Sequence, residues 1–177
     1  MQVFKLTPFP SNTIPNMKIS GGIVRAENNL FIRYEVNGDI DKILLSTKAT
    51  SPSRTDDLWK ATCFEFFAAI PNQPGYWEFN MSPSSDWNVY RMDAYRRFGF
   101  REETAFTQLP FLFKETENQL SLDISVNLDR MLQPEQSVQV GIATIIQTMD
   151  RRETYWALTH PGQQADFQLR EGFILEL

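Results

Sequence analysis

Apolar and polar positions alternate with a period of two along much of the chain. Leu30, Ile32, Tyr34 and Val36 are interleaved with Phe31, Arg33, Glu35 and Asn37, the pattern of a half-buried strand. Leu120, Leu122, Ile124 and Val126 alternate in the same way with Ser121, Asp123 and Ser125. Residues 21–27, GGIVRAE, and 30–36, LFIRYEV, flank the tight-turn pair Asn28-Asn29 and are predicted to form a hairpin. Residues 1–7 predict an opening edge strand, and Pro8, Pro10 and Pro15 then break regular structure. Lys42–Thr47 predicts a short strand, and residues 49–57, ATSPSRTDD, a polar loop.

Three consecutive strands are predicted at Thr62–Ile70, Tyr76–Ser82 and Trp87–Met92. A long loop is expected over residues 93–110. Phe111–Glu115 and Gln119–Val126 then pair across a turn at Glu117-Asn118. Residues 128–133, LDRMLQ, suggest one helical turn capped by Asn127. Val138–Thr148 reads as a long strand, and Tyr155–Leu158 and Phe173–Leu177 close the chain. Roughly ten short strands with little helix predict an all-β, antiparallel β-sandwich or jelly roll, with residues 1–177 as a single domain.

The centre of the chain also predicts its own register. If Phe66 lies opposite Phe79 and Phe64 opposite Met81, then Phe64, Phe66, Trp77, Phe79 and Met81 share one apolar face. With Phe79 opposite Val89, Trp87 and Val89 join it. A slip of one residue would turn the whole set to the wrong side. The other face then carries Cys63, Glu65, Phe67, Glu78, Asn80, Asn88 and Tyr90. A solvated outer face is the ordinary alternative. This face lacks Lys and Thr, however, and Glu65 lies among bulky neighbours, where a carboxylate needs hydrogen-bond partners. Carboxylates and amides beside aromatic rings suit sugars: rings pack on apolar C–H faces, and acids and amides take hydroxyls.

Composition narrows the classes. The 177 residues carry 17 Lys and Arg against 22 Asp and Glu, a net charge of −5. That balance argues against a nucleic-acid surface and against binding to anionic lipid. The 14 Phe favour strands. The first thirteen residues show no signal-peptide pattern, and no apolar run is long enough for a membrane span, so a cytoplasmic protein is the simplest reading. The single cysteine, Cys63, excludes an internal disulfide and a multi-cysteine metal site.

LWKATCFEFF (58–67), followed by YWEFNMSPSSDWNVYRMDAYR (76–96), resembles the bacterial DOMON-like domain proteins, as does the closing stretch WALTHPGQQADFQLREGF (156–173). That group belongs to one superfamily with the family 9 carbohydrate-binding modules. The resemblance implies a β-sandwich jelly roll, with sugar or haem bound on one sheet face in the better-known relatives. The chain departs from the group at Ala165-Asp166-Phe167-Gln168, where Pro-Asp-Phe-His is usual. A functional role for that histidine is therefore in doubt here.

Other chemistries have weaker support. His160 is the only histidine, which disfavours a zinc site of the usual ligands. A triad would need His160 with Ser82, Ser84 or Ser85, without nucleophile-elbow spacing. Haem would need His160 with Met81, Met92 or Met149 as axial ligands. Glu65 and Glu78 could suggest a glycosidase, although no paired-carboxylate motif is recognisable. Asp56, Asp57, Asp86 and Asp93 near strand ends are calcium-type ligands with no defined loop spacing. Arg91, Arg96, Arg97 and Arg101 form a basic stretch that is by default solvated, although an anionic sugar or phosphate partner would suit bidentate arginines.

The sequence thus predicts a domain that binds a small saccharide or sugar derivative without chemistry. The expected site is Glu65, Glu78, Asn80, Asn88 and Tyr90, with Trp59 and Trp87 as stacking walls and Arg91 and His160 on the rim. No cofactor is required for this reading, and calcium is compatible with it. The alternatives are a haem or redox module and a protein-interaction scaffold.

Overall fold

The computed structural model describes residues 1–10, 14–96 and 100–177. Arg97, part of the basic stretch and of the expected long loop, lies outside the described residues. Twelve strands are found among the described residues: β1 Gln2–Pro8, β2 Met17–Ala26, β3 Asn29–Gly38, β4 Cys63–Ala69, β5 Tyr76–Met81, β6 Trp87–Met92, β7 Arg101–Glu102, β8 Phe111–Glu115, β9 Gln119–Asn127, β10 Gln139–Gln147, β11 Glu153–Ala157 and β12 Leu175–Glu176. All pairings between them are antiparallel. The order is β7-β6-β5-β4-β10-β11-β1-β2-β3-β9-β8, with β12 also pairing to β10.

β1 joins the two halves. Its Gln2–Leu6 stretch pairs with β2, and Thr7 and Pro8 pair with β11. The continuous sheet thereby curls over itself into a β-sandwich. The core between the layers draws Phe4, Ile32, Tyr34 and Leu122 from one side and Phe64, Phe66, Phe79 and Ile142 from the other. Tyr34 ties the layers by donating its hydroxyl to the Glu65 backbone carbonyl at 2.8 Å. Its ring also packs edge-on against Phe4 and Phe64.

The central register matches the sequence reading: Phe64 pairs with Met81, Phe66 with Phe79, and Phe79 with Val89. Four elements differ from expectation. β2 begins at Met17 and runs straight through Gly21-Gly22, because β1 and β3 crowd it there. A Cβ on Gly21 would lie 1.8 Å from the Arg33 carbonyl oxygen. Lys42–Thr47 is not a strand. Ile40–Lys42 forms a 3₁₀ turn, and beyond it only the Ile43–Thr148 bridge and a Leu44 N–H to Gln147 carbonyl bond link the segment to β10. Both sides of β10 are already paired, by β4 and β11. The expected loop 93–110 contains β7, which pairs with the edge of β6. The last expected strand, Phe173–Leu177, shrinks to β12. At 128–132 the chain makes a single turn, in which Leu132 N–H reaches the Leu128 carbonyl and Asn127 Oδ1 accepts the Asp129 N–H.

Candidate functional site

The face of β4, β5 and β6 turned away from the core is not a wet surface. Glu65, Phe67, Tyr76, Glu78, Asn80, Asn88 and Tyr90 are all buried. Three parts of the chain cover it: the 3₁₀ turn Leu58–Lys60, the Phe100 side chain, and the closing segment that carries Asp166, Phe167, Gln168 and Phe173. Phe173 stacks on Phe67 and meets Tyr76 edge-on, sealing one end. The other end stays open as a cleft of about 230 Å³.

Glu65 and Glu78 form the polar floor of this cleft. Register places Glu65 opposite Asn80 and Glu78 opposite Phe67, so the two carboxylates are diagonal neighbours on adjacent strands. Their surroundings differ. Glu78 accepts from Asn80 Nδ2 at 2.9 Å on one oxygen and from Gln168 Nε2 at 3.0 Å on the other. Glu65 Oε1 is buried with no hydrogen-bond partner, and so is Asn80 Oδ1 opposite it. Burial raises the Glu78 carboxyl above its ordinary range, opposed by the Asn80 and Gln168 bonds. Burial, and then the neighbouring Glu78 charge, raises Glu65 well above its ordinary range. Two donors favour the charged form of Glu78, whereas Glu65 is held toward the neutral form.

Aromatic rings make the walls. Trp59, half-buried, packs edge-on against Tyr90 at 5.8 Å, and Tyr90 meets Phe100 at 5.4 Å. Tyr155 and Phe167 stand together at 6.2 Å, both lining the cleft. The Tyr155 hydroxyl is bonded to Glu153, which with burial pushes its pKa up to about 12. The Tyr90 hydroxyl is likewise committed, donating to Asp56 at 2.6 Å and accepting from Asn88 Nδ2 at 2.9 Å. Tyr90 therefore offers its ring to the cleft and not its hydroxyl. Arg96 reaches the mouth, paired to Asp166 at 2.9 Å, and Asp166 also accepts the Tyr95 hydroxyl and the Gln168 N–H.

The structure brings together Glu65, Glu78, Tyr90 and Trp59 at the cleft. Asn80 and Asn88 lie fully buried beneath it, where they orient Glu78 and Tyr90. Three expected residues are placed elsewhere. Trp87 is buried in the core, with the Arg54 guanidinium over its ring at 4.4 Å. Arg91 pairs with Trp77 in register and stacks on that ring at 3.7 Å, so strand alternation turns it away from the cleft. His160 lies behind the cleft wall, its Nε2 2.8 Å from the Thr7 carbonyl oxygen and its ring against Phe9 and Phe167.

The four aspartates proposed for calcium do not converge. Asp56 holds Tyr90, Asp57 pairs with Lys60, Asp86 takes Ser53 and Ser84, and Asp93 pairs with Arg101. Among the described residues no group of three His, Cys, Asp or Glu side chains is placed to hold a metal ion. Of the methionines considered for haem, Met81 is in the core, Met92 lines the cleft and Met149 is exposed on the loop after β10. Ser82 and Ser84 bond to each other and, through Ser84, to Asp86, within one turn.

Sequence reasoning missed Arg96, Phe100, Tyr155, Asp166, Phe167 and Gln168 as cleft residues. The one available signal was the stretch Ala165–Gln168, read only as a departure from a pattern. Its Gln168 supplies a donor to Glu78.

No protein-family model matches the chain, and no curated protein matches it by sequence. Solved structures do match. A candidate carbohydrate-binding protein from Bacteroides uniformis shares 11% identity over 97% of this chain and 83% of its own, with a TM-score of 0.64. A family 9 carbohydrate-binding module from Caldicellulosiruptor kristjanssonii, solved with cellotriose, shares 12% identity over 92% of this chain and 74% of its own, with a TM-score of 0.53. The module from the same organism solved with glucose gives 12% identity, coverages of 86% and 72%, and a TM-score of 0.50. These likenesses establish the fold, a β-sandwich shared with family 9 modules.

Proposed function

We propose that this domain binds a small saccharide or sugar derivative in the cleft over β4, β5 and β6, without catalysing a reaction on it. One observation carries the reading: two buried carboxylates at the floor of a cleft walled by Trp59, Tyr90, Phe100 and Phe167. Rings of this kind pack on the apolar faces of a pyranose, and the acids take its hydroxyls. The cleft is smaller than the ~300–1,000 Å³ typical for drug-sized ligands, so it suits a single sugar ring better than a long polymer. The shared fold with modules solved in complex with glucose and cellotriose supports the reading, as does the motif resemblance to DOMON-like domains. No cofactor is needed for it.

The test is a thermal-shift and calorimetric screen against mono- and disaccharides and nucleotide sugars, repeated on Trp59→Ala. A ligand that raises the melting midpoint by mass action, with the gain lost in Trp59→Ala, supports the cleft. A panel without any shift would overturn the reading.

A different observation favours protein association as a second reading. On the opposite sheet Val3, Phe31 and Leu112 are exposed along an open groove. Sedimentation of wild type beside Phe31→Ser tests it: a concentration-dependent oligomer lost in the variant supports it, and a monomer in both removes self-association.

A further inference from the structure

Among the described residues the cleft carries more acidic than basic side chains. Among the described residues lining it, Glu65, Glu78 and Asp166 are acidic and Arg96 is the one cation. Arg96 is taken: both its Nε and its terminal nitrogen bond to a single Asp166 oxygen, at 3.1 and 2.9 Å. Glu78 has neutral amide donors only. Glu65 has an oxygen buried with no partner, although the side chain lines the cleft and the residue is 3% exposed. A buried acceptor left unpaired is costly, and a carboxylate more so than most. The remaining surfaces that could face a guest are ring faces and alkyl groups. From β10 comes Ile145, from β11 Tyr155, and from the flanking segments Trp59, Phe100 and Phe167. Rings around a negative floor form the arrangement that recognises organic ammonium groups, by cation–π attraction at the walls and a charge-assisted hydrogen bond at the base.

We infer that the ligand of this cleft carries a protonated amine, an amino sugar rather than a neutral one, with its ammonium seated on Glu65. The inference rests on the saccharide reading above and narrows it. A hydroxyl would give Glu65 one donor and leave the excess charge as it was. An ammonium gives it donors and supplies the positive charge that lets Glu65 ionise beside Glu78. The ammonium also relieves the repulsion between Glu65 and Glu78, so a proton held by Glu65 in the empty cleft passes to solvent on binding. The carboxyl O–H is the one bond broken, its proton going to the buffer, and the ligand itself is unchanged.

Calorimetry on the full chain decides it, with D-glucosamine, D-glucose, N-acetyl-D-glucosamine and cyclohexylammonium as probes. Glucosamine is expected to bind about tenfold or more tightly than glucose, the scale of one charge-assisted hydrogen bond, with N-acetylglucosamine resembling glucose. In Glu65→Gln the advantage of glucosamine over glucose disappears, whatever the change in the affinity for glucose itself. Because that variant changes a buried side chain, wild type supplies an independent readout. Buffers of different ionisation enthalpy should reveal proton release with glucosamine and none with glucose. Equal affinities for glucosamine and glucose would overturn the amine inference and leave the saccharide reading standing. Binding of cyclohexylammonium alone, lost in Glu65→Gln, would uphold the ammonium seat and overturn the saccharide reading. No binding of either amine overturns the inference.

Discussion

Glu65 sits in an environment that a carboxylate disfavours. Burial and the adjacent Glu78 charge raise its carboxyl well above the ordinary range, and Glu78 is shifted in the same direction. The sign for stability follows. A carboxyl with a raised folded-state pKa binds more protons in the native than in the unfolded chain, so its contribution declines as pH rises. The decline starts near the unfolded value of about 4.3 and continues up to the folded pKa. Glu65→Gln keeps the shape and removes that titration. We expect the variant to be more stable than wild type at neutral pH and the gap to close toward pH 4, by urea unfolding across the range. Parallel curves for the two proteins would show that Glu65 does not titrate in this window. Trp59 makes the complementary case. It stands half-buried on a 3₁₀ turn outside the main core, so Trp59→Ala should keep the native far-ultraviolet circular dichroism and cooperative unfolding and cost about tenfold or more in saccharide affinity, as aromatic anchors in binding sites do. Unchanged affinity would remove the aromatic wall from the argument.

At the scale of elements, packing decides where strands run, and local composition is a weaker guide. Gly21-Gly22 looked like a strand start because glycine is a poor strand former. The structure runs β2 through it, since the Arg33 carbonyl and the Phe4 ring occupy the space a side chain would need. Gly21→Ala should therefore cost at least about 2 kcal/mol, the overpacking range, and a value near zero by chemical denaturation would mean that β1 shifts to make room. The central meander was legible for the opposite reason. Phe64, Phe66, Phe79, Met81 and Val89 must all face one core, and only one register achieves that. β7 could not be read, because two exposed charged residues pairing at a sheet edge leave no periodicity. The cleft itself was half legible. Its floor lies on the meander, where alternation assigns faces, but the closing segment that covers it lies 90 residues distant along the chain, measured from Gln168 to Glu78. Alternation also explains Trp87 and Arg91, whose odd positions in β6 fall on the core side. The lid depends on Phe173, which stacks on Phe67 and fills the space over Gly141. Phe173→Ala should lose about 3–5 kcal/mol and loosen the closing segment, measured by unfolding and by proteolysis after Leu169. A loss under 1 kcal/mol would show that the segment is held by Arg170 instead, which bonds the Gln73 carbonyl and Gln139.

The whole molecule offers a ligand two opposite faces, and size alone favours the groove over the cleft. The groove over β1, β2, β3, β8 and β9 is about 1470 Å³, several times the volume of the cleft on the other side. The ion pairs that line it are open to water. Arg33 pairs with Glu35 and Asp123, all of them partly exposed. Among the described residues, none of the buried polar atoms without a partner belongs to a groove residue, whereas Glu65 Oε1 belongs to the cleft. A sugar in the groove would exchange water hydrogen bonds for equivalent protein ones and gain little. A sugar in the cleft satisfies an acceptor that has no partner, between rings that are poorly hydrated. Hydrogen exchange on the saturated complex separates the two. Bound saccharide should slow exchange at β4, β5 and β6 and at residues 165–168, and leave β2, β3 and β9 at their free rates, because opening of the second sheet does not require the ligand to leave. Protection concentrated on β2, β3 and β9 would move the site to the groove, and with it the argument from Glu65.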